Sequence, residues 1–120
     1  MAAAASDPAS TPAGSAPSDL EEEAVELVRA LIRIDSVNTG DPDTIGDGET
    51  RAATFVKEPL EDAGYMPELV EPRPGRGSVV ARLRGSDPAA GALVVHAHLD
   101  IVPVAAAHWT HPPFGAEIDD

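Results

Sequence analysis

A layered α/β domain, with helices packed against a sheet, is the fold class this sequence predicts. Three observations carry that expectation. Two segments of the first half repeat apolar residues at helical spacing, and three segments of the second half read as strands. The last of these, "ALVVHAHL", is nearly continuous in apolar residues, as central strands buried on both faces are. The order α-α-β-β-β is therefore that of a sheet covered by helices. The 120 residues are enough for one small domain, and with aromatics at 3% within 42% hydrophobic residues the core must be aliphatic.

Residues 1–18 are rich in Ala, Ser, Pro and Gly and are expected to form a disordered tail, with the domain proper spanning 19–120. The tail has neither a basic start nor a continuous apolar stretch, so it is not a secretory signal, and a cytoplasmic location follows by default. "SDLE" at Ser18–Glu21 is a capping-box pattern that predicts a helix start. Glu21, Glu22 and Glu23 then lie in the first turn, where the helix dipole favours negative charge. Leu20, Ala24, Leu27, Val28 and Leu31 share one face, widened by Val25 and Ile32, and the helix is expected to end near Asp35. A polar loop, "SVNTGDPDTIGDG", follows.

The second helix is predicted from about Glu49 to Ala63, with Ala52, Phe55, Val56, Leu60 and Ala63 on one face. Gly64 is placed to cap its C-terminus, and Pro59 is expected to kink it because it cannot donate to the Phe55 carbonyl. "YMPELVE" is a weak strand that Pro67 confines to an edge or a start, and "PRPGRG" is turn chemistry. "SVVARLR" alternates, with Val79, Ala81 and Leu83 on one side and Arg82 and Arg84 on the other.

Charge and cysteine usage exclude several functions. Asp and Glu number 21 against 8 Lys and Arg, for a net charge of −13, which repels phosphate backbones and anionic lipid. Nucleic acid and membrane partners are accordingly not expected, and no apolar run approaches the length of a bilayer span. With no cysteine there is neither a disulfide frame nor a thiolate metal site, so any metal ligand is His, Asp or Glu.

The chemistry concentrates in "VVHAHLDIVP", Val94–Pro103. On a regular strand His96, His98 and Asp100 share a face, at the C-terminal strand end where α/β sheets place binding crevices. An imidazole there can ligate a divalent metal, and a carboxylate two residues on can accept the other ring N–H, fixing the tautomer. Three readings stand open on these residues alone. One is a histidine satisfied by its neighbouring carboxylate, with no metal. The second is the start of the metallo-β-lactamase-type signature His-x-His-x-Asp-His, which Ile101 interrupts. The third takes His98-Leu99-Asp100 as the motif, with His96 a strand residue beneath it.

Residues on either side carry a resemblance. "AHLDIVPVAAAHWTHPPFGAEIDD" resembles the zinc-dependent exopeptidase and deacylase family of acetylornithine deacetylase, succinyl-diaminopimelate desuccinylase, aminoacylase and glutamate carboxypeptidase. The matching features are Ala97, His98, Asp100, Val102 and Pro103, then Trp109, Pro113-Phe114 and "GAEI". Upstream, "LVRALIRIDSVNTG", "GET" and "LEDAGY" are similar to the family's start, so the likeness runs from about Leu20 to Asp120. Ala97 stands where the family often has Gly, and His108 and His111 lie where it varies. Glu49 and Asp35 lie in segments that pack near the family's site without matching a ligand motif.

The resemblance implies the N-terminal part of a layered αβα zinc-exopeptidase catalytic domain, incomplete, with two helices and then about three strands. It implies a dinuclear zinc amide hydrolase, acting on small peptides or N-acyl amino acids, that is a homodimer when complete. On this reading His98 is a terminal metal ligand and Asp100 the catalytic residue that orients it. An N/O ligand set suits zinc and admits cobalt or manganese. The family's bridging aspartate in a "GRGxxD"-like segment, its Glu-Glu pair and its later ligands do not occur in the 120 residues, so this chain alone is expected to be inactive. The rival expectation is a non-enzymatic relic of a truncated gene, or a piece that folds with a partner.

Overall fold

The computed structural model describes residues 19–119. The expected tail and the Ser18 capping box lie outside the described residues. Two helices and a two-stranded antiparallel sheet make up the regular structure: α1 (Asp19–Ile32), α2 (Gly48–Asp62), β1 (Glu68–Val70) and β2 (Ser78–Val80). This is a partial α/β domain, in keeping with the expected class.

Helix α2 is the centre of the packing and lies on both strands. Its Ala52 and Ala53, at 2% and 0% exposure, are the most enclosed apolar side chains among the described residues. The helix runs through Pro59 to Asp62 and closes as the turn chemistry of Gly64 requires. Gly64 adopts φ 85°, its N–H donates to the Glu61 carbonyl at 2.9 Å, and the Tyr65 N–H reaches back to Leu60 at 2.9 Å. That pair of bonds is a Schellman motif, in which a residue without Cβ takes the left-handed position at least strain.

The strands pair Glu68 with Val80, Leu69 with Val79 and Val70 with Ser78. β1 begins directly after Pro67, as the missing proline N–H favours. The hairpin loop between the strands is tied to α2 by Glu71, whose Oε1 accepts from the Thr50 hydroxyl at 2.7 Å and from the Gly75 N–H at 2.8 Å. These two bonds, the Thr50 one foremost, lower the Glu71 pKa.

Three sequence expectations are corrected. The alternation of "SVVARLR" sustains a strand only to Val80, and Leu83 is 78% exposed. "ALVVHAHL" forms no ladder: Leu93, Val94 and Val95 are exposed, because no neighbouring strand among the described residues supplies its hydrogen bonds or covers its faces. The apolar face of α1 is helical as its period demands, yet no residue of α1 is buried. What ties α1 to later chain is Arg29, whose Nε donates to the Ala116 carbonyl at 3.0 Å. Ala116 itself is buried and sits at φ 51°. No helix among the described residues is long and apolar enough to cross a membrane.

A short parallel pairing matters most for the site. The Ile101 N–H donates to the Ser36 carbonyl at 3.1 Å, and the Asn38 N–H to the Ile101 carbonyl at 2.8 Å. Val37 and Ile101 form a parallel bridge, and the Ser36 hydroxyl donates to the Leu99 carbonyl at 2.8 Å. The segment expected to be a polar loop is thus the neighbour of the His98–Asp100 segment. Gly48, the first residue of α2, is buried directly against the backbone of Asp35 and Ser36. The helix start therefore backs the loop segment that faces Asp100.

Candidate active site

Each side chain of the site arrives from a different segment. His98 and Asp100 come from the extended stretch after Gly91, Asn38 from the segment that pairs with it, Glu49 from the first turn of α2, and Arg76 from the β1–β2 hairpin loop. The parallel pairing sets Asn38 opposite Asp100, and its Nδ2 donates to Asp100 Oδ2 at 2.7 Å. Arg76 Nη1 lies 3.6 Å from the same oxygen and 2.7 Å from Glu49 Oε2. Those Glu49 and Arg76 atoms are out of solvent and have no well-angled hydrogen bond, so they balance one another by charge.

Asp100 is mostly covered, at 23% side-chain exposure, whereas His98 is 84% exposed. The His98 Nδ1 lies 2.7 Å from the Asp100 backbone carbonyl and 3.1 Å from its Oδ1. A carbonyl oxygen can only accept, so Nδ1 must be the ring nitrogen that carries hydrogen. The neutral imidazole then has its lone pair on Nε2, the form in which a histidine ligates a metal. The shorter of the two bonds runs to the backbone, so Asp100 holds the ring twice, once by its carbonyl and once by its carboxylate.

The Asp100 pKa is lowered, above all by the hydrogen bond from Asn38, with smaller contributions from the Arg76 charge and from His98; partial burial opposes them. The carboxylate therefore stays ionised through neutral pH and keeps both oxygens as acceptors.

The sequence placed His98 and Asp100 together, and the structure keeps them in contact. His96 is exposed and lies in no strand. Asn38 and Arg76 were not identified from the sequence, where they read as part of a polar loop and of a turn. Glu49 was noted for its neighbourhood only, and Asp35 contributes through its backbone, its carbonyl accepting from Arg51 Nη2 at 3.1 Å. His111 sits away from this group, between Glu117 Oε2 at 2.6 Å and Asp119 Oδ2 at 3.2 Å. Among the described residues no three His, Asp or Glu side chains converge as a metal-holding group. Of this group, His98 could therefore supply at most one ligand of a set. Beside it opens an apolar groove of about 480 Å³, lined among others by Leu31, Ile34, Leu99, Val102, Trp109 and Phe114.

Comparison with known proteins adds kinship to this geometry. No protein-family model matches the chain. Aminoacylase-1 of Mus musculus is 33% identical over 96 residues, covering 80% of this chain and 22% of that protein. Aminoacylase-1 of Homo sapiens is 32% identical over 96 residues, again 80% of this chain and 22% of the relative. Acetylornithine deacetylase of Vibrio atlanticus (strain LGP32) is 28% identical over 89 residues, 74% of this chain and 22% of the relative. Over most of its length the chain is thus similar to aminoacylase-1 and acetylornithine deacetylase, and it spans 22% of the length of these relatives.

Proposed function

We propose that this chain forms part of the catalytic domain of a zinc-dependent amide hydrolase that removes the acyl group from N-acyl amino acids. The observation that carries the proposal is the His98–Asp100 pair, whose hydrogen bonds engage Nδ1 and, in the neutral ring, leave the lone pair on Nε2 of an exposed side chain. The relatives' names, an aminoacylase and a deacetylase, favour an acylated amino acid over a dipeptide as substrate. In this reading His98 is a ligand to one of two zinc ions, and Asp100 keeps its ring oriented. Bound zinc would polarise the amide carbonyl and acidify the attacking water. What this chain's residues contribute is the placing of one imidazole and the charge balance behind it, through Asp100, Asn38, Arg76 and Glu49.

A catalytic zinc usually has about three protein ligands plus water. The other ligands and the general base are proposed to lie in the part of the domain that the relatives have beyond the matched 22%. The exposed Leu93, Val94, Val95 and Val102, and the open groove beside His98, suit a surface that further chain covers. The 120 residues alone are therefore expected to bind zinc weakly, to associate through this apolar surface, and to release no amine from acyl amino acids. The test is to purify the 120-residue chain and its full-length parent, load both with zinc, and assay release of amine from N-acetylated amino acids. Turnover by the parent alone, abolished by a chelator, supports the reading. Turnover by a monodisperse 120-residue chain, or none by the parent, overturns it.

A further inference from the structure

The Asp100 carboxylate adds to the hold of its backbone carbonyl on His98 only if it is kept from rotating, and the structure shows what does so. Asn38 is held at three points. Its N–H donates to the Ile101 carbonyl at 2.8 Å, its Oδ1 accepts from the Gly40 N–H at 2.9 Å, and its Nδ2 donates to Asp100 Oδ2 at 2.7 Å. A backbone N–H can only donate and a carboxylate only accept, so these two partners settle which end of the amide faces Asp100. With Oδ2 engaged by Asn38 and flanked by Arg76 at 3.6 Å, Oδ1 is the oxygen left for the ring, 3.1 Å from His98 Nδ1.

We propose that Asn38 is a positioning residue of the site. By clamping Oδ2 of Asp100 it turns Oδ1 toward His98, and so helps hold the imidazole as the Nδ1–H tautomer with Nε2 open to a ligand. The inference rests on the reading of His98 as a metal ligand only for its consequence, weaker zinc binding; the tautomer itself can be read without metal. Arg76, paired with Glu49 Oε2 at 2.7 Å, places a positive charge 3.6 Å from Oδ2 on that side.

Asn38→Asp isolates the effect. The new carboxylate can still accept from Gly40, so the turn is kept, while the donor to Asp100 becomes a second negative charge. Asn38→Ala is the companion variant, removing the donor without adding repulsion. The experiment uses the full-length protein, labelled with ¹⁵N-histidine and free of metal, with His98→Ala to assign the resonance. Melting temperatures check that each variant is folded.

In the wild type the His98 spectrum should be that of the Nδ1–H tautomer. In Asn38→Asp it should move toward the Nε2–H form, with a smaller movement in Asn38→Ala because the Asp100 carbonyl still holds the ring. Zinc affinity, measured by competition with a chelating dye, should fall about 10-fold in Asn38→Asp, at the low end of what losing a supporting partner does. Unchanged tautomers in both folded variants would overturn the inference, whether or not zinc affinity changed. If instead His98→Ala bound zinc like the wild type, the metal-ligand reading would fail while the tautomer result still decided the role of Asn38.

Discussion

His98→Ala in the full-length protein is expected to abolish amide hydrolysis and to weaken zinc binding by more than the roughly 10–100-fold that loss of a supporting partner causes. The effect should be chemical and not structural. The His98 side chain is 84% exposed, and substitutions at such positions usually change stability by no more than about 0.5 kcal/mol. His96 provides the control two residues away. It too is exposed, so His96→Gln should leave both stability and zinc content unchanged. Asp100→Asn should fall between them, near about 10-fold in affinity or rate, because the backbone carbonyl at 2.7 Å survives the substitution. Zinc content by mass spectrometry and amine release measure all three. Equal zinc loss from the His96 and His98 variants would instead favour a paired-histidine site.

The second large effect is expected at a residue with no chemistry. Gly48→Ala would drive a methyl group into the backbone of the segment beside it, colliding with the Asp35 carbonyl oxygen and coming within 2.7 Å of Ser36 Cα. Backbone atoms cannot rotate aside as a flexible side chain can, so the start of α2 must separate from residues 35–36. We expect a destabilisation of about 3 kcal/mol, the upper part of the usual range for overpacking. The displaced segment is the one that presents Asn38 to Asp100 and the Ser36 hydroxyl to the Leu99 carbonyl, so zinc affinity should fall as well. Gly46→Ala is the matched control, since a methyl there meets nothing within 4 Å. Denaturant unfolding of the two variants checks the prediction. Equal midpoints would show that α2 can yield at its first turn.

What the sequence made legible follows from how local each signal is. His98 and Asp100 are two residues apart, and any extended backbone brings such a pair to one side, so their contact did not depend on the rest of the fold. Gly64 announced the end of α2 for the same reason, because a Schellman motif is specified within a single turn. Asn38 lies 62 positions from Asp100 and meets it through a parallel pairing that neither segment encodes alone. Arg76 was visible only as part of a turn, and its direction depends on how Glu71 ties that turn to α2.

The errors have a common cause. Helical period identified α1 correctly, but period does not say what covers the face, and Leu20 and Val28 remain 75% and 55% exposed. The apolar run before His98 has strand composition, but a strand exists as a ladder, and among the described residues its pairing begins only at Ile101, outside the run. Composition describes one side of a contact, and these two errors lie on the other side.

The most direct test of the account is to locate zinc in crystals of the zinc-loaded full-length protein from its anomalous scattering. A zinc peak is expected about 2.0–2.1 Å from His98 Nε2, with Nδ1 still bonded to Asp100. Zinc bound through Nδ1, or on His96 or His111 with His98 free, would contradict it.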